Sequence, residues 1–211
     1  MVQYFLDGGA FMWPILALLL FGLGFGLERL YTLYKASVDT KAFLTKVRTA
    51  LHDEGYDSAM DICSKTRGPV AEIFHAGLAR IHRGIEAVEK AIESAGTIEM
   101  SFLEKNMVWL STVITIAPML GFTGTVAGMI RAFDDIKAAN DISPAVVAGG
   151  ISVALLTTLF GLVVAIIIQI IQNYLISRVD KLIIDMEEYS VLLLDELVEL
   201  EQKGSLKSKK K

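Results

Sequence analysis

A single cysteine, Cys63, occurs in the 211 residues. It excludes an internal disulfide, and no zinc centre can be assembled from thiols. The three histidines, His52, His75 and His82, lack ligand spacing with other candidates; His75 and His82 sit seven apart, which suits exposed or packed rings better than a metal. No Walker A sequence occurs. Gly22-Leu-Gly-Phe-Gly26 lies inside an apolar run with no strand before it, so it is not a dinucleotide fingerprint. No enzymatic constellation is present, and neither a metal nor a nucleic-acid partner is expected.

Charge is missing where it matters most. Gly8 to Leu27, Met107 to Ile130 and Ile142 to Ser177 contain no Asp, Glu, Lys or Arg. Each meets the length of about 20 residues that a helix needs to cross a hydrocarbon core of about 30 Å. The chain is 53% hydrophobic with a mean hydropathy of +0.51, above the apolar share of about 45–50% usual in globular domains. These features predict an all-α integral membrane protein with three transmembrane helices and a cytoplasmic helical domain. Membrane lipids are then its solvent.

Basic residues gather after the first run (Lys35, Lys41, Lys46, Arg48) and again from Arg178 onward, whereas the first ten residues have none. The positive-inside rule places those basic segments in the cytoplasm and the N-terminus outside. No basic residue precedes the first run and no small-x-small cleavage site follows it, so it reads as a retained span.

The expected order is an external interfacial segment at 1–10, spans at 11–34, 107–133 and 145–176, and a cytoplasmic helical domain at 35–106. A short external loop follows at 134–144, then a cytoplasmic helix at 177–202 and a basic tail at 203–211. Asp53-Glu54-Gly55 and Arg67-Gly68-Pro69 break the cytoplasmic domain into helices. Ile73, Gly77, Ile81 and Ile85 recur at helical spacing. From about Ile85 the last of these helices is expected to run straight into the second span, with Gly96 as the only breaker. Val179, Leu182, Ile183, Met186, Tyr189, Leu193 and Leu197 form an apolar stripe that must pack on the 35–106 helices or on neighbouring subunits. The third span therefore reads as one long helix continuing into the cytoplasm.

Inside the spans, polar residues are the informative ones, because hydrocarbon offers them no water. The second span holds Ser111, Thr112, Thr115, Thr123 and Thr125; the third holds Ser152, Thr157, Thr158, Gln169, Gln172 and Asn173. A lone hydroxyl usually bonds back to its own helix, but this many favour a polar lining. Gly121, Gly124, Gly128 and Gly161 permit close helix packing, as does Gly22-x-x-x-Gly26. Pro118 frees a carbonyl and permits a kink. No ionisable residue lies at mid-membrane depth, so if ions move here a partner must bring the titratable group.

Two stretches carry a family resemblance. Ile116-Ala-Pro-Met-Leu-Gly-Phe-Thr-Gly-Thr-Val-Ala-Gly-Met-Ile-Arg-Ala-Phe133 resembles the second-span signature of the MotA/TolQ/ExbB proton-channel family. Ile151-Ser-Val-Ala-Leu-Leu-Thr-Thr-Leu-Phe-Gly-Leu-Val-Val-Ala-Ile166 resembles the span that follows it. Weaker echoes are Gly8-Gly9 with Met12 and Pro14, Glu28-Arg29-Leu30, and Gly68-Pro69. Three spans place the chain nearer ExbB and TolQ than MotA.

The resemblance implies an ion-channel or stator subunit of an inner-membrane motor driven by ion-motive force, energising transport or envelope processes. It implies a homopentameric ring around two copies of a single-span ExbD/TolR-like partner, with a TonB/TolA-like energy-transducing protein beyond it. The partner's intramembrane Asp would carry the coupling ion, H+ or Na+; no other cofactor is expected. The family places Thr125 and Thr158 beside that carboxylate, and Thr157 adjoins the pathway. One departure stands out: ExbB and TolQ usually carry Glu where this chain has Val153, and Pro near Ile167. The same residues also admit a structural membrane scaffold or a self-contained small-molecule transporter.

Overall fold

The computed structural model describes residues 2–36, 40–139 and 144–202, and every regular element among them is helical. The centre of the expected external loop and the basic tail lie outside the described residues. The elements are α1 (Val2–Asp7), α2 (Met12–Ala36), α3 (Thr40–Asp53), α4 (Tyr56–Lys65), α5 (Pro69–Leu78), a 3-10 turn at Ile81–Arg83, α6 (Ile85–Glu104), α7 (Met107–Ala139) and α8 (Pro144–Gln202).

Among the described residues three helical stretches, Met12–Asp53, Ile85–Ala138 and Val147–Gln202, are long and apolar enough to cross a membrane, and each takes in most of one charge-free run. A helix satisfies its own backbone polar groups, which is what lets such a segment enter hydrocarbon. The chain is thus an all-helical, multi-pass membrane protein.

It divides into two compact units, Met1–Arg29 with Asn106–Leu175, and Leu30–Lys105 with Ile176–Lys211. In the first unit α2, α7 and α8 pack through small residues. A Cβ built on Gly22 would stand 2.8 Å from the Ile168 Cδ1 and 3.4 Å from the Val113 Cγ1, and one on Gly26 3.0 Å from the Ile171 Cγ2. The Gly22-x-x-x-Gly26 face therefore lets α2 approach α8 closely. Ile168, Leu110, Val113 and Ala117 are buried around it, while Leu20, Phe122, Leu155 and Ile170 point outward. Such an outward apolar face suits lipid or other subunits.

The second unit is built from larger side chains. Phe43 of α3 and Phe74 of α5 pack as tilted rings with centroids 5.5 Å apart, and Val88 and Ile92 of α6 close over Gly77. On α8, Val179, Met186, Tyr189, Leu193 and Leu197 are buried. Leu193 lines a common cleft with Leu44, Val47 and Leu51 of α3, and the stripe's burial is met within the chain. Glu196 clasps the same pair of helices, accepting from Arg48 Nε at 2.9 Å and bonding His52 Nε2.

Helix breaks fall at Gly55 and Gly68, with φ of +93° and +131°, as the Gly and Pro residues predict. Ile73, Gly77, Ile81 and Ile85 fall on separate elements: α5 stops at Leu78, and Gly84, φ +91°, turns the chain into α6, which begins at Ile85. Two boundaries differ from expectation. Helix α6 does not run on into α7. Gly96 stays helical, and the break comes at Lys105–Asn106, where Asn106 adopts φ +65°. Asn is one of the few side-chain-bearing residues that visits this region readily. Finally α7 continues to Ala139, so Asp134 and Asp135 lie on a helix rather than in a loop. The segment Arg131–Ala139 has no Gly or Pro to stop it.

Candidate functional site

In the first unit α7 and α8 touch backbone to backbone. A Cβ on Gly121 would lie 2.9 Å from the Thr157 carbonyl oxygen and 3.0 Å from the Thr158 Cα; one on Gly161 would lie 2.5 Å from the Ala117 carbonyl oxygen. Gly124 faces the Thr157 side chain, and Gly128 faces Ala154. Any side chain at Gly121 or Gly161 would strike main chain, which cannot swing aside. Four of the predicted packing glycines thus form one seam, beside which α7 runs through Pro118 without interruption.

Threonine hydroxyls fill what the glycines leave open. Thr157 Oγ1 donates to the Ala154 carbonyl at 2.8 Å and lies 3.2 Å from the Gly121 carbonyl. Thr158 Oγ1 reaches that same Gly121 carbonyl at 3.2 Å. Thr125 Oγ1 lies 3.0 Å from the Ala154 carbonyl, and it hydrogen-bonds the Thr158 hydroxyl across the helices. Each hydroxyl carries one proton, so it can serve only one of these acceptors at a time. The cluster offers more acceptors than protons, and its donors can be redistributed by rotation.

The three threonines are not equivalent. Thr157 is 1% exposed, enclosed between the helices, whereas Thr125 and Thr158 are partly exposed. Only the latter two can present a hydroxyl to a group outside the chain. Thr112, Thr115 and Thr123 behave differently again, each donating to the carbonyl four residues back on its own helix at 2.8–2.9 Å. That is the local bonding by which a lone hydroxyl meets its needs inside a span.

Two features have weaker signals in the sequence. Gln172, 8% exposed, donates through Nε2 to Ser111 Oγ at 2.6 Å, joining α8 to α7 by a polar tie. A Gln inside an apolar run is the signal for such a tie, since it needs a partner there. The other is a cavity of about 400 Å³ under the α1–α2 turn, bounded by Gly8–Phe11, Gly124, Gly149 and Val153 and lined also by Asp7, Arg131, Asp135 and Thr157. Nothing in residue spacing announces it. Val153, where the resemblance led one to look for Glu, faces this cavity, with its Cγ1 3.7 Å from where a Gly9 Cβ would stand. Among the described residues no group of His, Cys, Asp and Glu is arranged to hold a metal.

Residues 65–188 match the model of the MotA/TolQ/ExbB proton channel family. A biopolymer transport protein ExbB homolog of Methanothermobacter thermautotrophicus is 34% identical over 180 residues, covering 85% of this chain and 64% of the relative. The chain therefore spans a little under two thirds of that protein's length. The Tol-Pal system protein TolQ of Haemophilus influenzae is 32% identical over 113 residues, 52% of this chain and 50% of its own. Biopolymer transport protein ExbB of Xanthomonas campestris is 41% identical over 81 residues, 38% of this chain and 32% of its own.

Proposed function

The chain belongs to the MotA/TolQ/ExbB proton channel family, and from that membership we propose that it is the channel-forming subunit of an ion-driven inner-membrane motor of the ExbB/TolQ type. In this reading five copies form a ring around two copies of a single-span, ExbD/TolR-like partner, and a TonB/TolA-like protein receives the work. The second unit, with its basic residues, faces the cytoplasm, and the N-terminus faces out.

The observation that carries the reading is the Thr125–Thr158 pair, bonded across α7 and α8 in a part of the chain with no ionisable residue. A partner carboxylate beside this pair would be bonded in both of its states. A hydroxyl donates to the ionised form and accepts from the protonated one, so the site does not hold one state against the other. One charge falling through 100 mV releases about 2.3 kcal/mol, enough to bias the motion of ring against partner. H+ and Na+ are both compatible with hydroxyl ligands, and neither requires a further cofactor.

Thr158→Val tests this. It keeps the volume and removes the hydroxyl. Losing a hydrogen bond to a charged group costs about 1.5–3 kcal/mol, so ion-driven work in vesicles containing the partner should fall at least about tenfold, with oligomer yield unchanged. The partner is to be sought as a neighbouring gene for a one-span protein with an intramembrane Asp. Parental activity in Thr158→Val would make the hydroxyl structural and end the assignment.

A further inference from the structure

The cavity under the α1–α2 turn has a consistent physical character. Its walls are largely glycine and alanine, Gly8, Gly9, Gly124, Gly128, Gly149 and Gly150 among them, so the space exists because side chains are absent. A Cβ at Gly149 would meet nothing within 4 Å. The α1 helix that leads into this turn is tied to its neighbours by Phe5, whose ring packs edge-on against Trp13 of α2 at 5.5 Å and Phe160 of α8 at 6.4 Å.

Two carboxylates, Asp7 and Asp135, and one guanidinium, Arg131, also line it, and they form no ion pair with one another. A void lined by apolar groups stays dry, but one with charged walls and far more than the roughly 15 Å³ needed for one molecule takes up water. The carboxylates outnumber the guanidinium, so the field inside favours small cations over anions. On the inner side, Thr157 and Gly124 adjoin the hydroxyl cluster: Thr157 and Thr158 share the Gly121 carbonyl, each 3.2 Å from it.

We propose that this cavity is a hydrated antechamber through which the coupling cation, hydronium or Na+, passes from the outer face toward Thr125 and Thr158. The inference rests on the function proposed above and names the route that serves its site. Asp7 and Asp135 concentrate the cation, Arg131 limits how tightly it is held, and the α1–α2 turn is the wall that keeps lipid out.

Thiol labelling tests the route without depending on motor work. Val153→Cys places a thiol on the cavity wall. Cys63 gives a low background, because it is buried and burial pushes its thiol up to about 12, leaving little reactive thiolate. Intact cells carrying the full-length chain and its partner are treated with a cationic or an anionic methanethiosulfonate. Val153→Cys should label from outside, with the cationic reagent about tenfold faster or more. Adding Asp7→Asn and Asp135→Asn should bring the two rates together. Gly149→Leu should slow both by at least about tenfold by filling the space, while Gly149→Ala, too short to fill it, should leave them near the parent.

No labelling from outside, equal rates for the two reagents, or labelling untouched by Gly149→Leu in a normally assembled ring would each overturn the antechamber. These outcomes are separable from failure of the threonine site. An active Thr158→Val with cation-selective labelling removes the destination and leaves the route. An inactive Thr158→Val with an unlabelled Val153→Cys does the reverse.

Discussion

The two units of this chain solve the same packing problem by opposite means. Where α7 meets α8, glycines bring main chain against main chain and threonine hydroxyls bridge it. In the second unit Phe43, Phe74, Ile73, Leu193 and Leu197 interdigitate as large buried side chains. The proposed setting, hydrocarbon around the first unit and water around the second, accounts for the contrast. In water, burying a Leu or Phe side chain gains about 1.5–3 kcal/mol, so bulk is the adhesive. In hydrocarbon a Leu is as well solvated by lipid as by a neighbouring helix, and association relies on close van der Waals fit and interhelical hydrogen bonds. The same residue type therefore carries different weight in the two places.

The largest expected effect comes from breaking the glycine seam. Gly121→Leu drives a side chain into the Thr157 carbonyl and the Thr158 Cα, where overpacking costs at least about 1–3 kcal/mol and main chain cannot yield. The yield of detergent-purified oligomer should collapse. Gly149→Ala, facing open space on the same pair of helices, should leave it unchanged. Equal yields for both variants would mean the backbone contact is not what holds α7 to α8.

Leu193→Asp makes the complementary attack on the second unit. Leu193 is 1% exposed, so the substitution removes packing worth about 2–5 kcal/mol and buries an unpaired carboxyl as well. Assembly should be impaired, and the solubilised protein should unfold at lower temperature. A variant with normal yield and a normal melting temperature would show that the stripe is not a core.

A smaller effect sharpens the electrostatic side. Burial, and then the neighbouring charge of Glu72, raise the carboxyl of Glu99 on α6 above its usual range. In the folded state this carboxyl holds its proton to higher pH than in the unfolded chain. Its contribution is therefore unfavourable above the raised value, and stability recovers as pH falls from there toward the usual carboxylate range. Glu99→Gln should melt slightly higher than the parent near neutral pH and equal it in acid. The difference should be under about 1 kcal/mol, because Glu99 is only partly buried and solvent still screens its charge. A Glu99→Gln protein with the parent's pH profile would remove this carboxyl from the balance.

Much of the secondary structure was legible from chemistry that acts locally. Charge-free runs of span length, the Gly55 and Gly68-Pro69 breaks, and the stripe ending in Leu193 and Leu197 each follow from what one residue type does to its own segment. The break at Asn106 was not legible, since a single Asn lowers helix propensity only slightly and takes a left-handed conformation only where its surroundings require it. The candidate site was legible in part. Thr125 and Thr158 came from the family resemblance, and neither composition nor spacing distinguishes them from Thr112, Thr115 or Thr123.

What the sequence determined by itself is the material of the membrane unit: three apolar runs without Asp, Glu, Lys or Arg, glycines at contact spacing, and hydroxyls in excess of ordinary need. Only the tertiary structure decided the use of each. It turned Thr112, Thr115 and Thr123 back onto their own helices, enclosed Thr157, and left Thr125 and Thr158 joined and partly open. It also made a charged cavity by bringing Asp7 to Arg131 and Asp135, which lie more than a hundred positions further along the chain. The physical reason is directional. A hydroxyl's function depends on which acceptor stands within about 3 Å of it, and across a helix–helix contact that acceptor belongs to a residue far away in the chain.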